Sequence, residues 1–395
     1  MATTVSAVRP DPFALSEEER TVRETARDFA ERELAPTAAL RDEEERFELE
    51  LFRRMGELGL TALPFPEEMG GAGLSYFAWV LACEEIAAAD MGMAISLAVH
   101  VLAQVCIVAY GNDEQRARLL PSMASGAHLG AFALTEPGAG SDAAALTLRA
   151  ERNGDAYALT GTKIWITNAG AADRYIVFAT VDRSRGRDGV TAFVVDGSAA
   201  GLRVGAHEKK MGLRGSATAE LVFDGVLVPV EDRLGDEGDG LEVALGSLAS
   251  GRISIAAACT GLARAALEYA TRYAIERKQF GKPIAEQQMI QSMLADAAAA
   301  VEASRLLTWR AARLRDAGEA IAAAGSMAKL FASDTAMRVT TDAVQIYGGA
   351  GYSRENPVER LMRDAKVTQI FEGTNQVQRL IIAQQLINEV RRSGR

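Results

Sequence analysis

Thr135-Glu136-Pro137-Gly138-Ala139-Gly140-Ser141-Asp142 and, a short distance on, Trp165-Ile166-Thr167-Asn168 decide the reading of this chain. Pro137 fixes its own φ and removes a donor, while Gly138 and Gly140 permit conformations closed to other residues, so the backbone can pass within contact distance of a ligand. Thr135, Ser141 and Thr167 add hydroxyls, and Trp165 adds a large planar face. Taken alone, the first run reads equally well as a hydroxyl-rich turn before a β-hairpin. With the second run beside it, the pair reads as a backbone cradle for a flat, hydrogen-bonding cofactor of the flavin type.

Two other nucleotide motifs fail on context. Gly138-Ala139-Gly140-Ser141-Asp142-Ala143 matches G-x-G-x-x-A, but that motif opens a helix after a strand. Here residues 146–150 alternate and lead into the hairpin signal Arg152-Asn153-Gly154-Asp155. Gly281-Lys282 has Glu276 where a phosphate-binding loop needs its first glycine.

Outward from the cradle the composition changes twice. Residues 1–129 read as helical: Ser16 before Glu17, Glu18 and Glu19 is a capped first turn, and Val22, Ala26 and Phe29 recur at helical spacing. Pro64, Pro66 and the 70–73 glycine cluster mark a loop, and Gly111-Asn112-Asp113 marks a helix end and a new cap. Residues 130–239 carry short alternating runs around Tyr157, Tyr175 and Thr191, which predict a β domain. Residues 240–395 return to helix, with alanine-rich tracts at 256–266 and 297–303 that predict closely approached helices.

At 395 residues the chain is long enough for two or three domains and a sizeable core. Lys+Arg 43 against Asp+Glu 53 gives a net charge of −10, which argues against nucleic acid and anionic lipid as partners. Cys83, Cys106 and Cys259 are odd in number and lie in apolar stretches, the pattern of buried thiols in a reducing compartment, and no metal motif appears. Asp11, Glu17, Glu18 and Glu19 stand where a secretory signal needs an apolar core, so a cytoplasmic protein is expected. The apolar stretch 93–110 approaches membrane-spanning length but contains Ser96, His100 and Gln104, and is read as a buried helix.

The two cradle runs resemble the flavin segments of the acyl-CoA dehydrogenase family, and the likeness continues in family order. It includes Arg277-Lys278-Gln279-Phe280-Gly281, Gln345-Ile346-Tyr347-Gly348-Gly349 and Phe371-Glu372-Gly373-Thr374-Asn375-Gln376. The resemblance implies an α+β fold, mostly α, with an N-terminal helical domain, a central β-barrel-like domain and a C-terminal four-helix bundle. It implies FAD as cofactor, a short- or medium-chain acyl-CoA as substrate, an electron-transfer flavoprotein as redox partner, and a homotetramer with FAD at the subunit interface.

Residue by residue, the resemblance makes Thr135 and backbone groups near Leu134 contacts of the flavin pyrimidine edge, Thr167 a neighbour of N5, and Trp165 a neighbour of the ring. Phe132 matches a position that often holds tyrosine, so a hydroxyl contact is missing. Ser141 reaches either the flavin or the phosphopantetheine part of the acyl carrier. Arg277, Gln279, Phe280 and Gln288 match a segment that crosses to the partner subunit's FAD, and Gln345, Gly348 and Gly349 a companion segment around the adenosine half. Thr374 and Gln376 return to the flavin.

Arg252 sits in an apolar helical stretch, where an unpaired cation is costly. Either an internal salt bridge or, as the resemblance implies, the CoA moiety answers it. Glu372 in isolation reads as an acid at a helix N-terminus. The resemblance makes it the base that removes the α-proton, with its own amide helping to bind the thioester oxygen and Gly373 bringing the backbone close. Apolar neighbours such as Ile370 and Phe371 are expected to raise its pKa. Some family members place the base directly before the arginine matched by Arg252, but that position is Gly251 here.

Three other readings use the same scaffold or none of it. An acyl-CoA oxidase or an acyl-carrier-protein dehydrogenase shares the motifs. A DNA-associated, non-dehydrogenating relative requires a basic surface that the net charge opposes. A purely helical assembly protein leaves the glycine-rich segments without a purpose.

Overall fold

The computed structural model describes residues 13–394; Asp11 of the acidic N-terminus lies outside them. Among the described residues six α-helices precede the first strand: α1 (Glu17–Phe29), α2 (Ala38–Glu44), α3 (Leu49–Glu57), α4 (Tyr76–Ala89), α5 (Met91–Tyr110) and α6 (Asp113–Ala124). α1 opens on a capping box in which the Ser16 hydroxyl accepts from the Glu19 amide at 3.1 Å and the Glu19 carboxylate accepts from the Ser16 amide at 2.9 Å. Asn112 and Gln115 repeat the device at the start of α6. α4, apart from Glu84 and Glu85, and α5 are apolar nearly all round, and such helices are stable only when covered on every side. The apolar window of α5 is 94% buried inside the protein.

The strands begin with β1 (Gly130–Ala133), β2 (Arg149–Asn153), β3 (Ala156–Thr167) and β4 (Arg174–Thr180), followed by β5 (Val190–Asp196), β6 (Leu202–His207), β7 (Thr218–Pro229) and β8 (Arg233–Leu234). They form one mixed sheet in the order β6-β7-β3-β2-β4-β5-β8, with β1 parallel to β4. β2 and β3 are the hairpin anticipated at Asn153-Gly154: Asn153 pairs with Ala156 and Gly154 takes φ +62°. The β3–β7 ladder slips between Lys163 and Ile166, so Trp165 lies on a bulge.

The C-terminal helices are α7 (Gly240–Glu276), α8 (Gln288–Asp316), α9 (Ala322–Tyr347), α10 (Val358–Thr368) and α11 (Asn375–Ser393), with a two-stranded hairpin of β9 (Lys278–Gln279) and β10 (Lys282–Pro283) after α7. α7 packs on α9 and on α4, so the N- and C-terminal helices share one core. Small residues make this approach possible. Ala256, Ala257, Ala258 and Ala263 are fully covered, and a Cβ at Gly261 would stand 2.0 Å from the Glu84 carbonyl oxygen. The second alanine tract behaves differently from expectation. Only Ala297 and Ala300 are buried while Ala298 and Ala299 face outward, because one stripe of α8 meets the bundle.

Charge ties the same helices together. The enclosed carboxylates of Glu84 and Glu85 on α4 are met by Arg264 of α7, by Arg305 of α8 and by Arg27 of α1. Asp316 at the end of α8 accepts from the amides of Tyr76 and Phe77 at 2.7 and 3.0 Å, fixing the start of α4. All three cysteines are free and buried.

A rigid backbone carbonyl cannot yield at the α4–α7 crossing. Gly261→Ala is therefore expected to destabilise the fold by about 1–3 kcal/mol, despite the gain in helix propensity, measured as a lowered denaturation midpoint; an unchanged midpoint would mean that the helices separate freely there.

Candidate active site

The two glycine- and tryptophan-bearing runs are one object in space. The Ile164 amide donates to the Thr135 carbonyl at 2.9 Å, which lays the edge of β3 along the first run. Glu136 and Ala139 exchange backbone hydrogen bonds around Pro137-Gly138. Beneath them lies a buried ion pair that sequence reasoning did not identify, in which the Lys163 ammonium meets Glu136 Oε1 at 2.8 Å and the Leu134 carbonyl at 3.0 Å. The Glu136 carboxylate also accepts from the amides of Thr147 and Leu148 and from the Thr147 hydroxyl. Burial alone would raise the Glu136 carboxyl, but the Lys163 charge and these donors more than offset it and hold it below its ordinary value. A sequence signal existed: the alternation set by Tyr157 and Leu159 points Lys163 inward, and an inward cation requires an anion.

The conformational strain of the cradle sits elsewhere than expected. Neither Gly138 nor Gly140 takes a positive φ; Trp165 (φ +59°) and Asn168 (φ +68°) do. The glycines act by being bare, since a Cβ at either would meet nothing within 4 Å. Asn168 is buried and its amide donates to the carbonyls of Ser96 and Gly130, anchoring the bulge to α5 and β1. Trp165 is left 54% exposed on the surface so formed. Phe132 leans on Phe178 with ring centroids 4.9 Å apart. Thr135, Ser141 and Thr167 form no side-chain hydrogen bond among the described residues, so their hydroxyls are available beside an open face. These residues fit a flat group with polar edges such as the isoalloxazine of FAD: one bare backbone surface, one aromatic face and three unengaged hydroxyls.

Glu372 lies in the loop between α10 and α11 with φ +52°, and Gly373 follows at φ +86°. The Glu372 Oε2 is enclosed and has no hydrogen-bond partner. Loss of water raises its pKa to about 7, against the lowering influence of Arg252 and Lys329. Of the two apolar neighbours expected to enclose it, Ile370 turns outward while Phe371 packs against the core. Ile370 is 53% exposed, and α7 closes over the carboxylate: a Cβ at Gly251 would fall 2.6 Å from Oε2. Gly251 thus supplies room for the base as well as lacking a rival carboxylate. Helix α11 is capped by the Thr374 side chain on the Val377 amide, so Glu372 stands ahead of the cap and is no N-terminal helix acid.

Arg252 is 6% exposed, its Nε has no partner, and it forms no ion pair among the described residues. The internal salt bridge is therefore not made, and the guanidinium is available to an anionic ligand. Gln376 is exposed at the start of α11.

The remaining residues gather at the far end of the bundle. Tyr273 of α7 and Tyr347 of α9 stack at 4.0 Å and 13°, so the end of α7 before Arg277 meets the end of α9 before Gly348 and Gly349. Phe280 is 94% exposed at φ +54°, and the Cβ positions of Gly348 and Gly349 are open. Gly251, which touches Glu372, and Arg277 are separated by 26 positions along α7, roughly 39 Å at 1.5 Å per residue. Arg277 therefore lies far from the Glu372 of its own protomer.

Because the atom facing Gly251 is the mobile end of a side chain, Gly251→Ala is expected to leave the denaturation midpoint unchanged or raised. It should nevertheless slow proton abstraction by roughly 10²-fold through displacement of the carboxylate, read as the rate at which an acyl-CoA bleaches the flavin. Wild-type rates in the folded variant would show that Oε2 does not need that space.

The sequence matches three family descriptions in chain order: "Acyl-CoA dehydrogenase, N-terminal domain" over residues 16–127, "middle domain" over 131–226 and "C-terminal domain" over 238–387. An acyl-CoA dehydrogenase of Bacillus subtilis (strain 168) is 48% identical over 94% of this chain and 99% of its own. The butyryl-CoA dehydrogenase structure from Megasphaera elsdenii superposes with a TM-score of 0.94 at 44% identity, covering 95% of this chain and 100% of that one. A chain in the solved structure described as an electron transferring flavoprotein of Acidaminococcus fermentans gives 0.94 at 46% identity, covering 95% and 99%. The chain therefore belongs to the acyl-CoA dehydrogenase family, whose members are FAD flavoproteins.

Proposed function

We propose that this protein is an FAD-dependent dehydrogenase that converts a short-chain acyl-CoA to its trans-2-enoyl-CoA and passes the electrons to an electron-transfer flavoprotein. One observation carries the reading: the enclosed, unpartnered carboxylate of Glu372 beside the unpaired guanidinium of Arg252. Removing a weakly acidic α-proton requires a base of raised pKa, and burial raises Glu372 to about 7. Glu372 takes the pro-R α-proton onto its carboxylate, while its backbone amide bonds the thioester oxygen and stabilises the enolate-like charge. Arg252 offers its fork to the anionic CoA moiety, and Ser141 lies on the open rim of the cradle for the carrier or the flavin.

Residues Phe132, Leu134, Thr135, Trp165 and Thr167 would hold the isoalloxazine, with Thr374 and Gln376 contributing from the α11 start. Bound there, FAD supplies the acceptor for the β-hydrogen and its electron pair. The Arg277–Gln288 and Gln345–Gly349 residues would hold the FAD of a partner subunit, because roughly 39 Å of helix separates them from their own base. The exposed Phe280, Met289, Leu380 and Leu386 support a homotetramer that covers them. Similarity to the butyryl-CoA and electron-transferring flavoprotein structures supports the short acyl chain and the redox partner.

Protonation of Glu372 removes the base, so kcat/KM rises with pH and reaches half its plateau near the carboxyl value of about 7. Anaerobic bleaching of the yellow protein by butyryl-CoA should follow that curve, and Glu372→Gln should retain FAD while losing roughly 10²–10⁴-fold in rate. Undiminished bleaching in the variant would remove Glu372 from the reaction. Arg277→Ala should lower FAD content and weaken assembly, checked by the flavin-to-protein absorbance ratio and by sedimentation; normal values for both would refute the shared-cofactor arrangement.

A further inference from the structure

Beneath the loop that carries the base lies a charged side chain that the mechanism above does not use. Lys329 of α9 is fully buried, and its ammonium donates to the Gly373 carbonyl at 3.0 Å and to Asn375 Oδ1 at 2.9 Å. Asn375 in turn donates to Ser333 Oγ at 2.9 Å and to Asp334 Oδ1 at 2.7 Å, so Lys329, Ser333 and Asp334 of α9 together grip the start of α11. Gln378 adds donors to the Glu372 and Gly373 carbonyls at 3.2 and 2.8 Å. The backbone so held is strained: Glu372 occupies the left-handed region, where its Cβ crowds the backbone. Such a conformation persists only where its surroundings over-determine it.

We propose that Lys329 is the positioning residue of this active site, holding Gly373 and Asn375 so that the left-handed turn at Glu372 points the carboxylate at Gly251. This rests on the reading of Glu372 as the base. The placement of Lys329 is economical. Gly325, Ala328, Ala332 and Ala336 make the covered stripe of α9, and Lys329 sits on that stripe where a neutral residue would pack more cheaply. An ammonium there does two things that a neutral donor cannot. It makes charge-assisted bonds to the loop, and it opposes the desolvation of Glu372. Around Glu372 the charged and titratable groups are Arg252 of α7, Lys329 of α9, and Tyr76 and Cys83 of α4. Around Lys329 they are Cys259 and Arg252 of α7, Asp334 of α9 and Glu372 itself. Burial brings Lys329 down to about 8, still above the value of about 7 for Glu372, so it is mostly charged at the midpoint of the Glu372 titration.

The test uses FAD-loaded protein without turnover. In Lys329→Met, the carboxyl band of Glu372, identified by its loss in Glu372→Gln, should titrate roughly one pH unit higher in infrared difference spectra. The sign follows from removing a cation that favours the ionised form. Amides of 372–377 should exchange with deuterium about tenfold faster or more, while α7 keeps its protection. Lys329→Arg, which keeps the charge, should bring the titration back toward wild type. Should Lys329→Met fail to fold, Lys329→Gln carries the same decision. Wild-type titration and wild-type loop exchange in a folded neutral variant would overturn the assignment. Neither readout requires a substrate, so failure of butyryl-CoA to bleach the wild-type flavin would defeat the dehydrogenase reading separately.

Discussion

Removing one carboxylate from water is the constraint around which this fold is arranged. A glutamate in solvent is too weak a base for a carbon acid, and a glutamate buried without support would simply stay protonated. The structure meets both demands by enclosing Glu372 Oε2 under α7 while leaving Arg252 and Lys329 close enough to temper the loss of hydration. The long helices serve this end. α7 brings Gly251 and Arg252, α9 brings Lys329, Ser333 and Asp334, and α4 closes the back with Tyr76, whose hydroxyl is bonded to Ser250 and Ser254 of α7.

The same logic appears on the cradle, where a strained surface is held from below by a buried ionic contact. Lys163 and Glu136 brace the first run as Lys329 and Asn375 brace the base loop. In both places a non-glycine residue has a positive φ, Trp165 in one and Glu372 in the other, and Phe280 of the β9–β10 hairpin is a third. At Trp165 and Glu372 such a conformation persists because the surrounding hydrogen bonds over-determine it, whereas Glu45 takes the same region as the ordinary left-handed cap of α2.

Much of this was legible in the sequence. The capping residues at Ser16 and Asn112, the Asn153-Gly154 hairpin and the change from period-2 alternation to helical spacing gave the element order, because each is a local signal. The motifs gave Glu372 and the cradle through resemblance. What escaped was long-range. The Lys163–Glu136 pair spans 27 positions and Lys329–Gly373 spans 44, and no local pattern names such partners, although an inward-facing lysine on a strand or stripe announces that one is needed. Gly138 and Gly140 do not use the conformational freedom that the sequence points to: their Cβ positions are open, and the positive φ belongs to Trp165 and Asn168, beside the register slip of β3 on β7. The part of the Glu372 enclosure that comes from α7, more than a hundred residues earlier, has no signal in the residues around Glu372.

A crystal structure of the FAD-loaded protein with a bound short-chain acyl-CoA analogue tests the central claim most directly. The account predicts a Glu372 carboxylate oxygen within about 3.5 Å of the thioester α-carbon, on the face opposite the flavin. A carboxylate turned away from that carbon, or an acyl chain lying on the same side as both groups, would contradict it.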